Sequence, residues 1–233
     1  MFGKFKYVVA AASVALMTAC GGGGGGSSGP VASTSAFNLL ATYAATFTSP
    51  QINNFTITGT SGTATIAGTG TATTGNTSAG TFESQSALQR TTTVTGTFTV
   101  NGTSYPLNSS SVDWVTTNYV PLGSVGTEYE VVTGTPVLPT SARVGDTGTV
   151  YTANRYTTSS KTTLLGTVTT TYVVEADTAS TALVTLINTY KNTSNVTTKT
   201  SSSQLRVTTS NTFTRIKETL LDNVNNLSMT LTY

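Results

Sequence analysis

From residue 55 to its last residue the chain alternates apolar and hydroxylic positions with a period of two. Phe55 and Ile57 stand against Thr56 and Thr58, and Val94, Gly96, Phe98 and Val100 stand against Thr93, Thr95, Thr97 and Thr99. Leu227, Met229, Leu231 and Tyr233 stand against Ser228, Thr230 and Thr232. Successive side chains of a strand point to opposite faces, so each run predicts a strand with one face turned to a core. The last run reaches Tyr233 and predicts a built-in C-terminal strand. Asn101-Gly102 tolerates the positive φ angles of a type I′ turn and predicts a hairpin between the Val94 run and residues 103–107. Residues 59–62 read as a turn and 75–80 as a loop. Ala64, Ile66, Gly68, Gly70 and Ala72 share a face of small residues, open to close approach by another element or to a ligand.

Further strands are predicted over 112–120, 128–133, 149–158, 161–175, 204–208 and 212–219. Val168, Thr170, Tyr172 and Val174 share one face of the fourth of these. The irregular stretch 135–148 divides the domain into two halves. Residues 182–191 carry Leu183 and Ile187 on one side and Val184, Leu186 and Tyr190 on the other, which places this strand centrally, under the N-terminal helix. Residues 196–203 are polar and predict an exposed edge or a loop. One stretch has helical spacing: Phe37, Leu40, Ala41, Ala44 and Phe47, with Ser35 as N-cap and Thr48-Ser49-Pro50 as the stop. The sum is a mainly β chain of about ten to twelve strands with a single N-terminal helix. An antiparallel barrel, a half-barrel or a sandwich fits, and closure would hide edges that so few charges protect poorly.

The first residues follow another grammar. Lys4 and Lys6 precede an apolar run over 7–17, and the small residues Thr18 and Ala19 precede Cys20. That order predicts a secretory signal, and about 11 apolar residues fall short of the roughly 20 that span a bilayer. Met17-Thr18-Ala19-Cys20, followed by glycine from 21 to 26, resembles the lipobox of bacterial lipoprotein precursors, with Met17 where leucine is usual. The resemblance implies a signal peptide over 1–19, a diacylglyceryl thioether and an acylated amine on Cys20, and a lipid anchor in the bacterial cell envelope. Gly21 in place of aspartate implies the outer membrane. A Gly/Ser-rich tether over 20–34 and one β-rich domain over 35–233 complete the expected organisation. The domain also resembles uncharacterised Thr/Gly-rich outer-membrane lipoproteins of proteobacteria, through its tether, short helix, Thr-rich sheet and the turn at 144–148.

Composition narrows the chemistry. Removing Lys4 and Lys6 from eleven basic residues leaves nine, against nine acidic ones, so the rest of the chain is formally neutral. That gives no electrostatic case for nucleic acid. Roughly a quarter of the residues are threonine and only 9 % are charged. There is no histidine, and Cys20 is the sole cysteine. A Ser-His-Asp triad and a zinc site are thereby excluded, and no nucleophile elbow or phosphate loop occurs. Glu128 and Glu130, like Glu175 and Asp177, are two apart on predicted strands, a spacing of about 7 Å within the range glycosidases use; both pairs read better as solvated carboxylates. Asp146 reads as a turn residue rather than a calcium ligand. Trp114, beside Asp113 and near Tyr119, is either a core residue or a stacking surface, so Trp114 and Tyr119 are the candidate ligand-binding residues. The expectation is a non-enzymatic, lipid-anchored structural or interaction module without a cofactor. Its partners are the membrane, through Cys20, and an envelope protein. The alternative is a carrier for a lipid or other apolar ligand in a curved sheet.

Overall fold

The computed structural model describes residues 29–233; the signal segment, Cys20 and the glycine run lie outside the described residues. One helix, α1 (Leu39–Thr48), precedes β1 (Gln51–Ser61), β2 (Ala64–Thr74), β3 (Ser78–Phe82), β4 (Gln85–Val100), β5 (Thr103–Val115), β6 (Pro121–Val125) and β7 (Tyr129–Thr133). Then follow β8 (Thr147–Tyr156), β9 (Leu164–Ala176), β10 (Thr181–Lys191), β11 (Thr197–Thr208), β12 (Phe213–Asp222) and β13 (Leu227–Thr232). All pairings are antiparallel and run as a meander, and β1 closes on β13 from Thr56↔Thr232 to Ser61↔Leu227. β4 is long enough to carry two neighbours on one side: its second half pairs with β2 and its first few residues pair with β3. The result is a closed barrel of twelve strands, with β3 as an extension beside β4.

The local signals act as expected at several points. Asn101 and Gly102 take φ of 47° and 84° in the tight turn between β4 and β5. β13 is a wall strand, and β10 is a strand whose Ala182 and Val184 pack with Leu39 of α1. Along β4, Arg90, Thr92, Val94 and Phe98 are buried while Thr91, Thr95 and Thr97 are exposed. The same threonine coat covers β1, where Thr56 and Thr58 flank the buried Ile57. A lipid-facing barrel shows an apolar outer band between aromatic girdles. A wall of hydroxyls is built for contact with water.

Inside, one large cluster is centred on the side made by β12, β13, β1, β2, β4 and β5, with Phe55, Ile57, Phe98, Leu107, Met229 and Leu231, and it reaches Ala153, Val168 and Tyr190 on β8 to β10. The small-residue face of β2 serves this packing and leaves no space for a ligand. A Cβ on Gly70 would lie 2.5 Å from the Phe55 ring, and one on Gly68 would lie 2.8 Å from Cβ of Phe98.

Other expectations are corrected. α1 begins at Leu39, and Asn38, not Ser35, caps it by accepting a 2.9 Å bond from Ala41 N–H. Phe37 is outside the helix, in a β-bridge with Ala142. The buried positions are Leu39, Thr42, Thr46 and Phe47, so Leu40, Ala41 and Ala44 are not the packing face. The cause is the helix's place across one mouth of the barrel. Leu39 packs with Val174, Ala182, Val184 and Val207 on β9 to β11, while the Thr46 carbonyl accepts from Arg90 on β4, at the opposite side of the ring. Of its residues Tyr43 reaches the charged part of the interior, while Thr42 and Thr46 face a smaller space that Leu39 shares. Residues 134–146 do not divide the domain, because β7 and β8 pair directly across them. Residues 197–203 belong to the internal strand β11, with Ser201 and Ser202 buried; they are polar because the cavity they flank is polar. β3 already begins at Ser78, and β5 ends at Val115, where residues 116–120 form a turn. The chain is held from Val31, whose N–H donates to Asp177 O at 3.2 Å.

Close contact between β2 and β4 should make this part of the wall unforgiving. A Cβ on Gly96 would fall 2.3 Å from Thr69 O and 2.6 Å from Gly70 Cα, both backbone. Gly96→Val should cost about 3 kcal/mol in chemical denaturation. Gly126→Ala, whose Cβ would meet Ser111 at 3.5 Å, should stay within about 0.5 kcal/mol.

Candidate functional site

The interior opposite the apolar cluster is a cavity of about 270 Å³, floored by Tyr43 of α1. The short strands β6 and β7 open it to the outside. β5 pairs with β4 along its whole length but with β6 only over 112–115. Among the described residues, 103–111 therefore have no strand beside them on that side. The turn between β6 and β7 stops there, and the cavity reaches this notch between Ser109, Ser110 and Ser111 on one rim and Gly126, Thr127 and Glu128 on the other. A smaller cavity of about 130 Å³ abuts it on the far side of α1 and is mostly apolar, lined by Leu39, Leu138, Val184, Leu205, Val207 and Phe213 among others.

The main cavity is charged. Arg90, Asp113, Glu128, Glu130, Lys199 and Arg215 line it, and Arg155 and Glu218 pair with two of these. Eight of the eighteen charged residues outside the signal segment are thus gathered around one interior space. Six form three ion pairs. Arg155 grips Glu128 through two 2.7 Å bonds, Arg215 donates to Glu218 at 2.7 Å, and Arg90 meets Asp113 at 3.3 Å. Arg90 also stacks over Phe47, 4.3 Å from its centroid, so its bond to the Thr46 carbonyl anchors the end of α1 where a cation is favourable.

Glu130 and Lys199 are the two left over. Glu130 accepts a 3.1 Å bond from Ser124 Oγ and has no ion pair among the described residues. Burial, and then the charge of Glu128, hold its carboxyl above the usual glutamate range. Lys199 Nζ sits 3.8 Å from the Tyr190 ring centroid, likewise without an ion pair among the described residues, and burial pulls its ammonium below the usual lysine range. The Arg155 guanidinium lies 4.9 Å from the same ring. Burial also pushes the hydroxyls of Tyr43, Tyr151 and Tyr190 up, so they stay protonated as donors. Ser109 Oγ, Arg90 Nε and Arg215 Nε are buried with no hydrogen-bond partner among the described residues, and all three residues line the cavity. Buried donors of this kind are ready for a bound polar group.

The residues singled out in the sequence fall in different places. Trp114 lies on the outer face of the wall, stacked on Phe82 at 5.4 Å in a cluster with Ala87 and Tyr129. Tyr119 sits in the turn after β5 with φ of 60°, its ring 6.2 Å from Phe47. The two do not share a surface, and neither lines the cavities described above. Asp113, beside Trp114 in sequence, points inward instead. Glu128 and Glu130 do share a face, but that face is interior, so neither is a solvated carboxylate. Glu175 accepts from Thr185 at 2.9 Å, and Asp177 holds Arg206 through bonds of 2.7 and 3.0 Å, away from the cavity. Asp146 accepts from Arg143 N–H at 2.8 Å in a turn. Among the described residues, no group of three or more His, Cys, Asp or Glu is placed to hold a metal ion. Reading by motif passed over Arg90, Arg155 and Lys199. Their signal was phase: each falls in step with inward residues, Arg90 with Val94, Arg155 with Ala153, and Lys199 with Ser201.

No family model, curated protein or solved structure matches this chain.

Glu130 should weaken the protein at neutral pH. Its folded-state pKa is raised, so the folded chain keeps the proton to higher pH than the unfolded chain does, and ionisation on the way up costs stability. Glu128, Arg155, Lys199, Tyr151 and Tyr190 are the charged or titratable groups that face it. Glu130→Gln should raise the melting temperature at pH 7, and the gain should vanish as pH falls below the usual glutamate range. Arg155→Met leaves the Glu128 carboxylate unpaired and should cost about 3–5 kcal/mol in denaturation.

Proposed function

We propose that the protein is an envelope lipoprotein, held by lipid on Cys20, whose barrel binds a small polar solute in the cavity below the notch. The observation that carries this reading is the concentration of charge. A chain with 9 % charged residues keeps eight of them around an interior space, where desolvation makes charge expensive. Structural packing alone favours apolar filling, as the opposite side of the same barrel has it. The lining also argues against a lipid or other apolar ligand as occupant of this cavity. Glu128 is committed to the Arg155 fork, which supports binding rather than catalysis.

The lipobox-like stretch supports the anchor. The chain reaches the barrel at Val31, beside Asp177 and at the same end as α1. The notch lies toward the β4–β5 turn, at the other end of the barrel from this point of entry.

Two measurements test this. Cys20→Ser should move the protein from the membrane fraction to the soluble fraction; unchanged membrane association would overturn the anchor. Native mass spectrometry of protein taken from the bacterial envelope should show an adduct of small mass that partitions into water on extraction. An apoprotein that also fails to retain anything from a pool of water-soluble metabolites would instead indicate a purely structural module.

A further inference from the structure

We propose that the ligand is a small zwitterion, its cationic group held by Glu130 and its anionic group by Lys199. This rests on the reading of the barrel as a solute-binding protein and adds the class of solute.

The argument is one of charge matching. The cavity's groups balance: Arg90, Arg155, Lys199 and Arg215 against Asp113, Glu128, Glu130 and Glu218. A site built for an anion or a cation would carry an excess of one sign. Three pairs neutralise six of the eight, and the two that remain have opposite signs. Glu130 stands on β7 opposite Arg155, and Lys199 stands on β11 opposite Tyr190, four strands further round the wall. They form no ion pair with each other. A single cation would leave Lys199 unmatched, a single anion would leave Glu130 unmatched, and a neutral polyol would leave both. Each unmatched buried charge is costly. A molecule with both charges matches both at once.

The remaining lining fits the frame of such a molecule. Lys199 is steadied over the Tyr190 ring, and Ser124 fixes one carboxylate oxygen of Glu130. Asn188 is locked between Thr170 and Ser201, at 2.7 and 3.1 Å, so this part of the wall is preorganised. A volume of about 270 Å³ admits a solute of amino-acid size. Burial disfavours the charged form of both residues, and the two ends of the ligand would relieve both penalties.

The test is calorimetric titration of the purified full-length protein with ω-amino acids of increasing chain length, from glycine to 6-aminohexanoate, and with glycine betaine. Controls are an alkylammonium ion, an alkyl carboxylate and a neutral polyol of similar size. The expected result is an optimum within the zwitterion series, at least tenfold tighter than either singly charged control. Lys199→Met and Glu130→Gln should each weaken that binding at least tenfold. Both variants remove a desolvated charge and should fold, which their thermal melts verify. Zwitterion binding untouched by either substitution would overturn the assignment. So would a polyol or a singly charged control that binds as tightly as any zwitterion, although the solute-binding reading would then stand. If no solute of any class binds, both fall.

Discussion

A ring of twelve strands encloses more space than its own side chains can fill. About eight strands is the size at which inward residues just meet. Everything inside this barrel is an answer to that excess. On one side Phe55, Phe98 and their neighbours reach in, with Gly70 on β2 making room for the Phe55 ring and Gly96 on β4 letting the β2 backbone approach. Across one mouth lies α1, which brings Leu39 to one wall and Phe47 toward the other. Of the remaining space, the larger cavity is lined largely by charges and hydroxyls, and the smaller one beside it is mostly apolar.

Arg90 ties these parts together. It lies on β4, stacks on Phe47, donates to the Thr46 carbonyl and reaches Asp113. Helix position, wall and cavity charge therefore meet in one side chain. The cavity in turn explains the uneven use of charge. Outside, threonine hydroxyls keep the wall wetted. Inside, the Arg155–Glu128 fork and two single-contact Arg–carboxylate pairs hold fixed geometry, and Glu130 and Lys199 are kept at a cost to stability. Groups retained at such a cost are where function is expected to reside.

The fold was largely legible in the sequence. Period-two alternation, Asn101-Gly102 and the unbroken final run specify antiparallel strands, and the poverty of charge argues for closed edges. The site was not legible, for one physical reason. Hydrophobic periodicity marks an inward face only where the inside is apolar. Where the inside is polar, as along Lys199, Ser201 and Ser203, an inward strand looks like a surface loop, and residues 196–203 were read that way. The packing face of the helix is not legible from apolar spacing either, because its buried positions include Thr42 and Thr46 in place of Leu40 and Ala44. The Glu128 and Glu130 pair was seen but assigned to solvent, since spacing fixes a shared face and not which side of the wall it is on. Trp114, the most conspicuous side chain, packs on the outside under the β3–β4 hairpin.

The most direct test of the account is a high-resolution crystal structure of the protein purified from its bacterial envelope, with attention to the space between Glu130 and Lys199. The account predicts an open cavity with connected density for a small molecule that hydrogen-bonds to both side chains. A cavity closed by a direct Glu130–Lys199 ion pair, with no room between them, would contradict it.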